Sequence, residues 1–100
     1  MDTINKNTEV IIPIEKEIIG SLKFPKENML KNENEQKELQ HRLDRAMHLG
    51  NNKIKVKIFF QDIEGKKVVE TSIWGVTESN VILKGTTIIP IRAIHEIKFF

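Results

Sequence analysis

Between Lys53 and Gln61 apolar and lysine side chains alternate, with Ile54, Val56, Ile58 and Phe60 on one parity and Lys53, Lys55 and Lys57 on the other. A period of two is that of a strand with one face buried. Asp62-Ile63-Glu64-Gly65 supplies a turn, and Lys66 to about Val76 predicts the returning strand. Setting Gln61 opposite Lys66 pairs Ile54 with Ile73, Val56 with Thr71 and Ile58 with Val69 on the inner face. The outer face then pairs Lys57 with Glu70, Phe59 with Val68 and Lys53 with Trp74. A salt pair and a cation–π contact favour this register over a slip of one residue.

The rest of the C-terminal half continues the short-strand rhythm. Gly75 permits a bend, Thr77-Glu78-Ser79-Asn80 a turn, and Val81–Lys84 a third strand. Gly85-Thr86 turns into a fourth strand, Thr87–Ile91, which Pro90 places at an edge or an end because proline has no N–H to donate. Ile88, Ile91, Ile94 and Ile97 recur every three residues, the period of a 3₁₀ turn. A 3₁₀ turn is predicted at Arg92–Ile94 and a closing strand at about Glu96–Phe100. The expected fold is mainly β, a small five-stranded barrel after one N-terminal helix.

That helix is predicted over Asn34–Leu49. Leu39, Leu43, Ala46, Met47 and Gly50 form one narrow stripe, Asn32 and Glu35 have capping-box spacing, and Gly50-Asn51 offers a left-handed stop. Arg45 and His48 place positive charge in the last turn. Upstream, Val10–Ile14 is β-branched and interrupted by Pro13, which suits an edge strand. Residues 1–9 are polar and expected to be disordered. Ile-Ile-Pro-Ile occurs at 11–14 and again at 88–91, but the flanks share no repeat period. The expected organisation is a flexible or edge-docking segment at 1–31 and a helix-plus-barrel domain at 32–100.

Composition narrows the function classes. One hundred residues suffice for one modest domain, and the absence of Cys excludes disulfide frameworks, thiolate metal sites and Cys nucleophiles. The N-terminus lacks a basic region and a long apolar run, and no stretch approaches the ~20 apolar residues of a membrane span, so a soluble, cytoplasmic protein is expected. Residues 1–50 carry eight Lys/Arg against nine Asp/Glu, and residues 51–100 carry eight against five. The barrel half is therefore mildly basic, which permits nucleic-acid contact.

The order of helix, five short bent strands and a 3₁₀ turn before the last strand resembles the Sm-like barrels, with the SH3-like barrels differing mainly in the leading helix. Ser72-Ile73-Trp74-Gly75-Val76-Thr77-Glu78-Ser79-Asn80-Val81-Ile82-Leu83-Lys84-Gly85 resembles the second-to-third strand region of the Hfq family of bacterial Sm-like RNA chaperones. Arg92-Ala93-Ile94 is similar to that family's run before its last strand. The resemblance implies the fold and a ring-like assembly. It does not extend to uridine binding: the family's Tyr-Lys-His run is matched by Pro90, Ile91 and Arg92, and its base-stacking Phe by Ser79. Nor does Thr77 stand at the right spacing from Asn80 for the Asp-x-x-x-Asn signature of eukaryotic Sm proteins.

Candidate site residues follow from the same pattern. Lys53, Lys55 and Lys57, with Trp74 beside them and Arg92 carried by the resemblance, make a candidate nucleic-acid platform of cations and one stacking indole; Lys66 and Lys67 lie near the hairpin tip. Phe59, Val68, Ile89 and Phe99 make a candidate interface for another protein or a second copy. His41, Asp44 and His48 share a helix face without metal-site spacing, so no metal is expected. Asp62 and Glu64 are expected to be solvated turn carboxylates. No phosphate loop or nucleophile elbow is present, so neither catalysis nor a cofactor is expected. The expected role is a non-catalytic binding module: RNA or single-stranded nucleic acid first, protein interaction or homo-oligomeric assembly as the alternative.

Overall fold

The computed structural model describes residues 10–100, and the expectation of disorder at 1–9 lies outside them. Ile11–Pro13 forms β1, and a 3₁₀ turn at Lys16–Ser21 and an irregular stretch lead to helix α1, Glu33–Asn51. The strands β2 (Val56–Asp62), β3 (Gly65–Thr71), β4 (Ile73–Val76), β5 (Asn80–Leu83) and β6 (Ile88–Pro90) follow. A second 3₁₀ turn, Ile91–Ala93, leads to β7, Ile94–Lys98. The domain is mixed α/β, with one main helix and seven strands in two open sheets.

The β2–β3 hairpin has the register read from the sequence, from Val56 opposite Thr71 to Asp62 opposite Gly65. Val56, Ile58, Phe60 and Val69 are fully buried, and each side chain removed from water contributes about 2 kcal/mol. Gly65 closes the turn at φ 145°, a conformation open to glycine and strained for other residues.

Two expectations are corrected here. The Ile54–Ile73 pair does not form, because β2 begins at Val56 and Ile54 is largely exposed. Its amide, with those of Asn52 and Lys53, instead donates to the carbonyls of Leu49 and Gly50 and closes the helix. The left-handed residue after α1 is Lys53, φ 66°, and α1 continues through Gly50 to Asn51.

The returning strand is also not continuous, nor is the barrel a closed five-stranded one. At Ser72 the chain leaves β2, and the Ser72 carbonyl accepts from the Lys84 amide at 3.0 Å. The strands therefore divide into sheets of order β1-β3-β2-β7 and β4-β5-β6. The 3₁₀ turn and the last strand both fall slightly earlier than expected, at Ile91–Ala93 and Ile94–Lys98.

Helix α1 is capped by the Asn32 side chain, which accepts from the Asn34 amide at 2.7 Å. Its buried Leu39, Leu43 and Ala46 join the strand residues in one core. The N-terminal segment completes the packing. β1 lies parallel to β3, Ile19 is buried, and the Phe24 ring stands 6.0 Å from that of Phe60.

Candidate nucleic-acid interface

Two segments bring cations to one place. The turn that closes α1 delivers Lys53 and Lys55, and the hydrogen bond between Lys84 and Ser72 delivers Lys84 from the end of β5. With Gly50, Asn51, Ser72 and Trp74 they line a cavity of about 590 Å3. Among the described residues no carboxylate lines it, and none of the three lysines has an acidic partner within 4.0 Å.

Trp74 owes its position to a bulge. Ile73 opposes Leu83 and Gly75 opposes Ile82, so Trp74 is the extra residue between them. Such a residue bends its strand and re-aims its side chain. Half of the Trp74 side chain remains exposed, beside the lysines, while its neighbour Ile73 is fully buried. Ser72 is only 4% exposed, and its backbone position is held by Lys84.

Sequence reasoning missed Lys84 and the bulge. Pairing Ile73 with Leu83 would have placed Lys84 beside Ser72, but a one-residue bulge leaves no periodic signal.

The other platform residues are elsewhere. Lys57 is on β2 and faces the outer side of the larger sheet, its Nζ 5.4 Å from the centre of the Phe100 ring. The continuous row of three lysines is thus interrupted, because Lys53 and Lys55 precede the strand. Arg92 fastens the N-terminal segment: its Nε donates to the Pro25 carbonyl at 2.7 Å, and its own carbonyl accepts from the Met29 amide. It does not reach the lysine–tryptophan cavity. Lys67 is buried in an ion pair at 2.9 Å with Asp62.

That pair corrects the solvated reading of Asp62, which is 1% exposed. Burial by itself raises the pKa of this carboxyl. The Lys67 hydrogen bond, the Glu64 and Gly65 amides and the lysine charge outweigh burial and hold it below the ordinary aspartate value. Parity could have signalled the pair, since Lys67 shares the face of the inward-pointing Val69 and Thr71.

The candidate interface residues also separate. Phe59 and Val68, with Ile11, Pro13 and Ile14 and the charged Lys57 and Glu70, line a cavity of about 400 Å3 on the outer face of the larger sheet. Phe99 is half-buried under the Arg45 guanidinium, 4.7 Å from the ring centre. Ile89 is fully buried and faces inward opposite Val81, so it belongs to the core; the exposed residue of β6 is Ile88.

Among the described residues no helix is long and apolar enough to cross a membrane. Comparison with family models, curated proteins and solved structures returns no match.

Proposed function

We propose that this chain is a non-catalytic binding module of the small-barrel kind, Sm-like or SH3-like, that engages single-stranded nucleic acid, RNA in first place. The finer fold reading is supported by a hairpin that bends at Ser72 into a second sheet and by a 3₁₀ turn before the last strand. The functional reading is carried by one observation, the convergence of Lys53, Lys55 and Lys84 around the exposed indole of Trp74 without a carboxylate among the lining residues. Ammonium groups neutralise phosphates, and an exposed indole stacks a base at about 1–3 kcal/mol.

The test is affinity for a mixed-sequence single-stranded RNA measured across salt concentrations. Neutralising three phosphates gives a slope of log K against log salt of about −2. Absence of binding at low salt contradicts the proposal.

A second reading, self-association or binding of another protein, is favoured by the apolar residues Ile11, Pro13, Phe59 and Val68 in a cavity rimmed by Lys57 and Glu70. Sedimentation tests its first arm, since a strict monomer across micromolar to millimolar concentration removes self-association from this reading.

A further inference from the structure

The helix and the last strand enclose a second groove, which shares no residue with the lysine–tryptophan cavity. It measures about 530 Å3 and runs along the N-terminal half of α1. One wall is β7, which among the described residues is an edge strand hydrogen-bonded to β2 alone in the larger sheet. The Ile97 carbonyl turns away from β2 and accepts from Arg42 Nη1 of α1 at 3.2 Å. Because the N–H and C=O of one strand residue lie on the same edge, the Ile97 amide faces the groove as well.

We propose that this groove takes an extended, lysine- or arginine-bearing peptide of another protein, added to β7 as a further strand. Strand addition draws affinity from main-chain hydrogen bonds and specificity from alternate side chains. Both are provided here. The Ile97 amide supplies a main-chain donor, the Ile97 carbonyl a second lone pair beside its bond to Arg42, and Leu30 and Leu39 an apolar floor. From Asn34 to Arg42 the helix advances about 12 Å, the length of roughly four extended residues.

Charge selects the occupant. Glu35, Glu38 and Glu96 line the groove, and among the described residues neither Glu35 nor Glu96 has a basic partner within 4.0 Å. Glu38 is paired at 3.3 Å with Arg42, which also lines the groove, and the carboxylates of Glu35 and Glu96 repel a phosphate backbone and attract ammonium and guanidinium groups. A second copy entering through β6 is a poorer strand partner. Thr87 and Ile91 direct their main-chain groups to β5, so Ile88 and Pro90 form the outer edge of β6, and proline has no N–H to give.

The experiment titrates the isotope-labelled full chain, followed by amide NMR, with a synthetic alternating Lys-Val hexapeptide. Saturable shifts are expected at the amides of Leu39, Glu96 and Ile97, and loss of those shifts with an N-methylated hexapeptide or a Glu-Val hexapeptide. Glu35→Lys/Glu96→Lys is expected to weaken binding roughly tenfold at low salt. The proposal is overturned by no shifts, by shifts confined to Trp74 and Lys84, or by equal binding of the N-methylated peptide. Concentration-dependent shifts at Ile97 and Ile88 without peptide would assign the groove to a second copy and overturn it equally.

Discussion

Gly50 lies directly against the main chain of Ile73: a Cβ added at position 50 would overlap the Ile73 carbonyl oxygen. Helix α1 meets β4 backbone to backbone at this point, and no larger residue fits. The contact also sets where the following turn begins, and so where Lys53 and Lys55 stand relative to Trp74, one residue beyond Ile73. Packing and the candidate site share this one joint. Gly50→Ala gains up to about 1 kcal/mol of helix propensity, against an overpacking cost of about 1–3 kcal/mol or more for a clash with backbone. A net loss of stability in chemical denaturation is expected, accompanied by weaker nucleic-acid binding.

The Asp62–Lys67 pair gives the fold an acid-sensitive component. The folded pKa of Asp62 lies below its unfolded value, so its contribution is fully present above the unfolded pKa, about 4. It is lost as pH falls through the folded value. Asp62→Asn leaves the Lys67 ammonium buried without its counter-ion, a loss of about 3 kcal/mol at neutral pH. Urea midpoints measured from pH 7 to pH 2 should show a smaller decline for the variant than for the wild type.

Neighbouring isoleucines of β6 should differ sharply. Ile89→Ala opens a cavity in the core and should cost about 2–5 kcal/mol, whereas Ile88→Ala, at a half-exposed site, should cost well under half as much. Thermal melts of the two variants decide whether Ile89 is a core residue or a surface one.

The cations of the candidate site should separate by function. Alanine at Lys53, Lys55 and Lys84 together should remove most of the salt dependence of RNA binding, while Lys57→Ala should leave the slope unchanged. Filter-binding isotherms at several salt concentrations measure both.

The β2–β3 register was legible because the six positions Lys53 to Ile58 alternate lysine with an apolar residue and a defined turn follows at Asp62–Gly65. The 3₁₀ turn was legible from Pro90 and the spacing of the isoleucines. The end of α1 was not, because glycine serves both left-handed turns and close approaches, and Gly50 serves the second. Ile54 kept the strand's parity but gave its amide to the helix, an outcome decided by tertiary hydrogen bonding. The candidate site was half legible: Lys53, Lys55 and Trp74 came from the pattern. Lys84 depended on the break at Ser72 and the bulge at Trp74, neither of which has a periodic trace.

Trp74 is the chain's one tryptophan, so its emission reports on this cavity alone. The most direct measurement is intrinsic fluorescence during titration with single-stranded RNA, run in parallel with the anisotropy of a dye on the RNA. Saturable quenching that follows the anisotropy, and that disappears in the Lys53/Lys55/Lys84 alanine variant, is the predicted result. RNA binding seen by anisotropy with unchanged Trp74 emission, or no binding at all, would contradict the placement of the nucleic-acid site.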